Sequence, residues 1–432
     1  MICLMPHCGF LSATSRMLEI YRALRQRGVT ARIATHGGTY EHVLRDVGVP
    51  YDIVGERMTP QRCERFIRDE IGMGYVGQSM YTDREMRDYV TAETEYFRQH
   101  DIRTVVTGFT LTTLLSTRLA GARLVTEHAG SWVPPLFERG MLPAPSQAHF
   151  GLLPSPLLRW LSNSLPSRVG FYCGGFNRLA ADLGVPRVPS LAALVLGDLA
   201  LIPEVPEVLG VSATEVADWR PDGRSGYRAG TRLRCVGPLY ARLDLPLPER
   251  VARFLAEPGP VVYVAVNSAE VGFVRRVVTT IATLPVRVLV AGTHHDLHDM
   301  AGDRVMVGGV LPSHLIMPEV DLAITAGGQG SVQTAMAGGT PVLGFPLQPE
   351  QDLNLALLER IGAARLLAPR HVGARLVTLA AEMLADRSYR EAAERVQRWY
   401  AATDGPANAA EAILALHDSG EADPIGPAGV LG

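Results

Sequence analysis

The sequence predicts an α/β protein built from two doubly wound domains with parallel sheets. Short apolar runs that suit buried strands alternate with segments of helical spacing, both from residue 1 and again from residue 261. Glycine-rich turns follow several of these runs and lead into helices. The 432 residues are also enough for two domains of ordinary size.

The composition restricts the function classes. A hydrophobic fraction of 47% with 20% charged residues is typical of a globular protein, and the net charge of -3 gives no basis for a nucleic-acid partner. All 41 basic residues are arginine, because the sequence contains no lysine. This excludes a Walker-type GK[ST] phosphate loop, a lysine Schiff base and a lysine general base.

The cysteines and the apolar runs predict a cytoplasmic protein without an integral membrane segment. The five cysteines are scattered and none forms a C-x-x-C pair, so neither a zinc ribbon nor a disulfide framework is indicated. No basic region precedes the apolar residues at the N-terminus. The longest apolar stretch, residues 191–202, is interrupted by Asp198 and is too short to span a bilayer.

The first predicted domain covers residues 1–240 and begins with a strand–helix–strand–helix order. Predicted strands occupy residues 1–5, 31–35, 105–110 and 124–126, and predicted helices lie at 17–25, 40–46 and 112–120. Residues 51–100 show no clean period and predict no defined element. A proline-containing linker is predicted at residues 241–250.

The second predicted domain covers residues 251–385 and repeats the same alternation. Its predicted strands are 261–266, 286–291, 322–325 and 340–346, and its first helices are 251–256 and 271–284. Two further helical segments follow within residues 386–417. The Gly- and Pro-rich residues 418–432 predict a flexible tail.

A glycine-rich turn, Ala326-Gly327-Gly328-Gln329-Gly330-Ser331, connects a predicted strand to a helix. A helix entered through glycines leaves backbone N–H groups unpaired at the positive end of its dipole, which suits a phosphate group. An ordinary strand-to-helix connection is the alternative interpretation.

Polar side chains follow the next predicted strand, residues 340–346. They are Gln348, Glu350, Gln351, Asp352 and Asn354. Ligands of parallel α/β sheets bind beyond the carboxyl ends of the strands, so this cluster suits the hydroxyl groups of a sugar.

These segments, AGGQGS, AMAGGTPVLGFP and EQDLNLA, resemble the donor-binding region of the GT-B type glycosyltransferases. The resemblance is closest to the bacterial natural-product branch related to the UDP-glucuronosyltransferases, whose pattern is HGGxGT, ALxxGxPxVxxP and DQxxNA. It implies two Rossmann-like domains facing across a cleft, an acceptor-binding first domain and a nucleotide-sugar-binding second domain. It also implies that the C-terminal helices, residues 386–417, pack back on the first domain.

The resemblance implies a set of donor-binding residues. The glycine-rich turn and Ser268 would contact the phosphates, Val310 the base, and Glu350 with Gln351 the sugar. The full set is Ser268, Val310, Gly327, Gly328, Gln329, Gly330, Ser331, Glu350 and Gln351. Ala326 stands where the family has a histidine that contacts a donor phosphate.

The general base is less well defined, because the family's N-terminal GHxxP or GHxxR histidine falls on Ala13 or Phe10. His7 lies earlier in the same loop and is one candidate. The pair Glu127 and His128 follows the strand at residues 124–126, so His128 is a second candidate and both side chains could bind the acceptor. The alternative for His128 is a loop histidine bonded to backbone.

Two aromatic residues near these candidates are expected to bind the acceptor. Phe10 lies in the first loop, and Trp132 follows the Glu127–His128 pair. The histidine-rich segment 293–299 superficially suggests a metal site. Its order does not match the binuclear hydrolases and no fourth ligand follows, so no metal is predicted.

The predicted function is an inverting, metal-independent hexosyltransferase. It would move a sugar from a UDP or dTDP sugar, its co-substrate, to a small hydroxylated acceptor such as a natural product or lipid, without a further cofactor and with a homodimer as one possible assembly. The alternative from another class is a non-catalytic GT-B relative that binds a nucleotide or activates a partner transferase. A sugar-nucleotide epimerase of the same architecture is a third interpretation, but the further acidic and histidine residues it needs cannot be placed.

Overall fold

The computed structural model describes residues 1–71, 80–128, 130–147, 153–266, 269–292 and 296–419. Two parallel sheets form its centre, each flanked by helices. In the first half the strands are β1 Ile2–Pro6, β2 Ala31–Thr35, β3 Asp52–Ile53, β4 Thr104–Gly108, β5 Arg123–Thr126, β6 Leu199–Ile202 and β7 Arg232–Cys235. The helices there are α1 Leu11–Gln26, α2 His42–Asp46, α3 Pro60–Ile71, α4 Asp83–Gln99, α5 Thr113–Ala120, α6 Pro134–Glu138, α7 Ser155–Ser164, α8 Gly174–Leu183, α9 Leu191–Leu194, α10 Pro206–Leu209 and α11 Ala213–Asp218.

The second half has the same alternation. Its strands are β8 Val261–Ala265, β9 Arg287–Ala291, β10 Val305–Gly308, β11 Leu322–Thr325, β12 Val342–Gly344 and β13 Ala364–Leu366. Its helices are α12 Glu249–Ala256, α13 Val271–Ile281, α14 Ser313–Ile316, α15 Gln329–Ala337, α16 Pro349–Ile361, α17 Ala374–Ala385, α18 Arg387–Ala401 and α19 Gly405–Asp418.

Both sheets are parallel, and in each of them the strand order reverses near the centre of the sheet. In the described residues the first sheet has the order β3-β2-β1-β4-β5-β6-β7 and the second β10-β9-β8-β11-β12-β13. The order therefore switches between β1 and β4 in the first sheet and between β8 and β11 in the second. Ligands of doubly wound sheets bind in the crevice at such switch points. The loops after β1, β4 and β11 are thus the places where a site is expected.

The two domains share apolar packing. One continuous buried cluster joins residues of the first sheet, such as Ala200 and Leu233, to residues of the second, such as Tyr263 and Val342. The strands that support the cleft are themselves almost fully buried, which suits their apolar and β-branched composition. None of the helices in the described residues combines the length and apolar character needed to cross a membrane.

The stretch 51–100 contains two helices that the hydrophobic period did not reveal. Helix α4 begins with a capping box, in which Thr82 Oγ1 accepts the Glu85 N–H at 3.1 Å and Glu85 Oε2 accepts the Thr82 N–H at 2.8 Å. The T-x-x-E pattern was the available sequence signal for this start.

The C-terminal helices contact both domains, whereas the resemblance implies that residues 386–417 pack back on the first. Helix α18 packs on α15 of the second domain, where Arg390 and Gln397 donate to the carbonyl oxygens of Gly339 and Ala337. Helix α19 packs on α1, because its small apolar face enters the core of the first domain. Most of the predicted tail, residues 420–432, lies outside the described residues.

Candidate active site between the two domains

The turn after β11 has the geometry of an open helix N-terminus. Gly327 has φ +85°, and a Cβ atom at this position would lie 2.6 Å from Leu355, so glycine is required. Its N–H donates to Thr325 Oγ1 at 2.9 Å. Gly328 is the N-cap of α15 and has no side chain with which to cap the helix. The Gln329 N–H at this helix start donates to the Glu350 carboxylate, and the neighbouring N–H groups suit a further anion.

The two polar side chains of this turn face different surroundings. Gln329 is buried, and its Nε2 donates to the carbonyl oxygen of Pro203 in the first domain at 3.2 Å. The Gln329 side chain thus joins the two domains, and its backbone N–H donates to the Glu350 carboxylate. Ser331 is exposed in the first turn of α15, where a ligand at the helix N-terminus can reach its hydroxyl.

The start of α16 borders the same turn. Glu350 Oε1 accepts a hydrogen bond from Asn354 Nδ2 at 2.5 Å, and the same nitrogen donates to the Gly327 carbonyl at 3.0 Å. Gln351 Oε1 accepts the Leu347 N–H at 2.8 Å, and its Nε2 lies 4.0 Å from the position of a Cβ atom on Gly328. Glu350 and Gln351 are thus held beside the glycine-rich turn.

Asp352 belongs to a contact between domains rather than to the open cleft. Its Oδ2 accepts from Gln147 Nε2 at 2.6 Å and from the Ser146 N–H at 3.3 Å, both on a loop of the first domain. Burial raises the pKa of Asp352 to about 6. Sequence reasoning did not find Gln147, because nothing local to that residue indicates its distant partner.

His128 lies at the end of β5 with its Nδ1 engaged by backbone. Nδ1 is 3.1 Å from the Phe109 nitrogen, which donates to it, and 3.4 Å from the Thr107 carbonyl oxygen. The shorter contact favours a proton on Nε2, an atom that has no partner among the described residues. Burial lowers the pKa of His128 to about 3. The imidazole is therefore neutral and presents an N–H group.

His7, in the loop after β1, is also a buried histidine whose Nδ1 accepts from backbone. Its Nδ1 accepts the Gly9 N–H at 3.2 Å, and its ring lies 4.4 Å from the ring of Phe66. Burial lowers the pKa of His7 to about 3, and the charge of His36 adds to this effect. Nε2 of His7 has no partner among the described residues.

Glu127 is completely buried beside Arg16 of α1, whose Nε lies 2.7 Å from Glu127 Oε2. Burial raises the pKa of Glu127, and the Arg16 cation offsets part of the rise. Within the described residues, neither carboxylate oxygen receives a well-aligned hydrogen bond. The sequence analysis did not single out Arg16. This arginine lies among the buried residues of α1, next to Met17 and Leu18, and that position was the missed signal.

The charge of Arg16 also acts on Glu350 of the second domain. Burial raises the pKa of Glu350, and the hydrogen bond from Asn354 and the charge of Arg16 lower it in turn. A Cβ atom on Gly330 would lie 3.6 Å from the Cβ of Ser12, one turn before Arg16 on α1. Helix α1 of the first domain thus faces the phosphate turn and the α16 carboxylate of the second.

Aromatic side chains line the first-domain part of the cleft. The half-buried rings of Phe10 and Phe109 meet edge to face at 5.4 Å, and Phe66 packs edge to face against both. Phe109 has φ +71°, which is strained for a bulky residue and is typical of functional sites. Trp132 is half-buried against Phe137, with no partner for its Nε1 among the described residues.

The remaining predicted site residues lie at the edge of the site or outside the described residues. Val310 follows β10 and is 42% exposed, which leaves it accessible to a nucleotide base. Ser268 lies outside the described residues, as do His294 and His295 of the histidine-rich segment. Across the ranges that are described, no group of three or more His, Cys, Asp or Glu side chains is arranged to hold a metal ion.

Comparison with known sequences gives relatives of one kind. The C-terminal domain model of the erythromycin biosynthesis protein CIII-like family matches residues 275–416. A PGL/p-HBAD biosynthesis glycosyltransferase of Mycobacterium tuberculosis is 26% identical over 325 residues, 74% of this chain and 72% of the relative. A PGL/p-HBAD biosynthesis rhamnosyltransferase of Mycobacterium bovis is 25% identical over 321 residues, 73% of this chain and 68% of the relative.

Solved structures match the whole described architecture. Spinosyn forosaminyltransferase SpnP superposes with a TM-score of 0.65 at 16% identity, covering 96% of this chain and 98% of that one. Glycosyltransferase VinC, solved in complex with dTDP, has the same TM-score and identity and covers 96% and 99%. At such identities the likeness concerns the fold, and the two Rossmann-like domains predicted from the sequence are confirmed.

Proposed function

We infer that this chain, a GT-B glycosyltransferase of the bacterial natural-product type, transfers a sugar with inversion from a dTDP or UDP sugar to the hydroxyl group of a small acceptor. One observation carries the proposal. The N-terminus of α15, which has no side-chain cap, packs beside α1 of the first domain, whose Arg16 pairs with the buried Glu127 and whose charge also acts on Glu350. Relatives identified as glycosyltransferases favour an enzyme over a non-catalytic binding protein.

The second domain supplies the donor site of this proposal. The N–H groups of Gly328 and Gly330 and the Ser331 hydroxyl bind the pyrophosphate, whose negative charge grows as it leaves. Because the helix dipole and these donors stabilise that charge, the reaction needs no metal ion. Two of the structural neighbours were solved with thymidine diphosphate, which supports a thymidine or uridine nucleotide.

The sugar lies between the phosphate turn and α16. Glu350 and Gln351 form hydrogen bonds with the hydroxyl groups of the sugar. Both side chains are held beside Gly328 by their contacts with Asn354 and Leu347. Val310 contacts the nucleotide base, and the backbone of the turn fixes the phosphates. These groups hold the anomeric carbon towards the first domain.

The transfer is a direct displacement. The acceptor oxygen bonds to the anomeric carbon as the bond from that carbon to the phosphate oxygen breaks. The electron pair leaves with the nucleoside diphosphate, and the acceptor proton passes to a base. The configuration at the anomeric carbon is inverted because attack and departure occur on opposite faces.

Glu127 is the base that the geometry supports best. The lone pairs of His7 and His128 on Nδ1 are engaged by backbone N–H groups, and the low pKa values of both rings make them weak bases. A carboxylate held by Arg16 retains free lone pairs on Oε1. His128 then donates its Nε2 hydrogen to the acceptor, orienting the attacking oxygen. This role differs from the base role that the sequence favoured for His128.

The acceptor is a small molecule with an apolar or aromatic body. Phe10 and Phe109 have half-buried rings, and Phe109 lies edge to face against His128; such surfaces contribute most of their binding energy through burial. A natural product or a lipid fits this description, as the sequence analysis expected.

The test combines binding and turnover. Thermal-shift measurements with dTDP and UDP, each with EDTA or with Mg²⁺, should show stabilisation that does not depend on the metal. Incubation of the corresponding nucleotide sugars with hydroxylated aromatic acceptors should release the nucleoside diphosphate and give an inverted anomeric configuration by NMR. Glu127→Gln is the matched control, because it should retain nucleotide binding and lose transfer. Absence of stabilisation by either nucleotide would overturn the proposal.

A further inference from the structure

Asn354 joins three parts of the cleft through one buried side chain. Its Nδ2 donates to the carbonyl oxygen of Gly327 in the phosphate turn at 3.0 Å and to Glu350 Oε1 at 2.5 Å. Its Oδ1 accepts the hydroxyl hydrogen of Ser131, in the first domain, at 2.6 Å. Asn354 and Ser131 are 5% and 2% exposed, so water does not compete for these bonds.

The orientation of this amide is determined by its partners. Both Nδ2 hydrogens go to acceptors that cannot donate, the Gly327 carbonyl and the Glu350 carboxylate. A flipped amide would place Oδ1 against those two oxygens and lose both bonds. Only the observed orientation leaves Oδ1 to accept from Ser131. The position of Ser131 therefore depends on how the phosphate turn and Glu350 are arranged.

Ser131 lies three residues after His128 and four after Glu127. Its neighbour Gly130 packs against α15 of the second domain. Gly130 has φ +59°, and a Cβ atom there would lie 2.5 Å from Gln329 Oε1. A side chain at residue 130 is excluded both by the backbone and by α15. The end of this acceptor-side segment thus rests on α15 and α16 of the other domain.

We propose that Asn354 is a positioning residue that couples occupation of the donor site to the placement of the segment carrying Glu127 and His128. The inference rests on the proposed function, because it takes the Gly327 turn and Glu350 as donor contacts. A nucleotide sugar that orders those two groups also fixes the Asn354 amide, and the amide then holds Ser131. Such coupling is reciprocal, so a bound acceptor strengthens donor binding by the same factor.

The experiment is hydrogen exchange with dTDP or UDP as the probe, followed by mass spectrometry of the wild type and Ser131→Ala. In the wild type, nucleotide slows exchange both in peptides that contain Gly327–Ser331 and in peptides that contain Ser131. In Ser131→Ala, protection remains at the turn and is lost at the acceptor side. Ser131→Thr retains the hydroxyl and restores the coupled protection.

A kinetic readout separates positioning from a general loss of stability. Ser131→Ala lowers kcat about tenfold through misplacement of the reacting groups, while the Kd for nucleotide changes less than twofold. Tyr400→Phe is the matched control, because it removes another buried hydrogen bond between the domains, to Glu204 at 2.9 Å, without touching Asn354. This variant keeps the coupled protection and the turnover.

Each outcome either supports or overturns the proposed coupling. Protection at the turn without protection near Ser131 in the wild type, or equal protection at both places in Ser131→Ala, overturns the coupling and leaves the proposed function standing. Absence of nucleotide protection anywhere overturns the proposed function itself. Loss of coupling in Tyr400→Phe as well would assign the effect to domain contact in general and overturn the role of Asn354.

Discussion

The Nε atom of Arg16 lies 2.7 Å from a carboxylate oxygen of Glu127, and both side chains are buried between the domains. Burial raises the pKa of Glu127, and the cation lowers it. Since a carboxylate acts as a base only when ionised, kcat/KM falls as the pH drops through the Glu127 pKa. Arg16 thereby extends the working range of Glu127 to lower pH.

Replacement of Arg16 by methionine tests this relationship. The variant loses the cation, so the Glu127 pKa rises and the acid limb of the kcat/KM profile moves to higher pH. Arg22→Met on the same helix is the control, because Arg22 pairs with Glu19 and Asp244 near the surface. An acid limb that stays in place in Arg16→Met would show that another group titrates.

The two base candidates are separated by paired substitutions. Glu127→Gln should lower kcat by about a hundredfold or more, the usual loss on removing a general base. His128→Ala should have a smaller effect, because Nδ1 of His128 is engaged by the Phe109 N–H. Steady-state kinetics with one nucleotide sugar measure both. A larger loss in His128→Ala would mean that the ring donates Nδ1–H to Thr107 and uses Nε2 as the base.

Nucleotide binding should depend on Ser331 and not on metal. Ser331→Ala removes one hydroxyl at the N-terminus of α15 and should weaken dTDP or UDP binding by about 1 kcal/mol. Isothermal titration calorimetry in EDTA measures the difference. Thr378→Ala, an exposed hydroxyl on α17 bonded to the Ala374 carbonyl, serves as the control. Unchanged affinity in Ser331→Ala would place that hydroxyl away from the phosphates.

Stability should fall as the pH rises towards neutrality because of Glu204. This buried carboxyl accepts from Tyr400 at 2.9 Å, and burial raises its pKa to about 7. The folded protein then binds a proton that the unfolded chain releases above its ordinary pKa of 4.5, so Glu204 lowers stability between these two pH values. Thermal unfolding across pH 5 to 8 should show a smaller decline in Glu204→Gln. Parallel curves would contradict the assignment.

The sequence was sufficient for the fold class and for the glycine-rich turn between β11 and α15. A buried strand, a glycine turn and a helix are consecutive in the chain, so residues 322–337 carry their own signal, and the GT-B fold and the glycosyltransferase prediction are confirmed. The start of α4 also carried a local signal in Thr82 and Glu85, which the search for apolar periods overlooked. Boundaries that depend on local capping were therefore open to prediction.

The contacts that assemble the cleft were not predictable in the same way. Ser131 and Asn354 lie 223 residues apart, and Arg16 and Glu127 are separated by much of the first domain. The Arg16–Glu127 pair forms only when the first sheet is built, and the Ser131–Asn354 pair needs both sheets, so no pattern near these residues predicts either contact. The protonation states of His7 and His128 likewise depend on backbone groups that tertiary structure brings to them.

The packing of α19 on α1 has a consequence for synthesis on the ribosome. Ala409, Ala410 and Ile413 complete an apolar cluster whose other members, such as Ile2 and Leu24, emerge some 400 residues earlier. The nascent first domain therefore keeps part of its core uncovered while the entire second domain is translated. A chaperone that recognises exposed apolar helices can bind α1 throughout this interval. Its release would coincide with the emergence of α19.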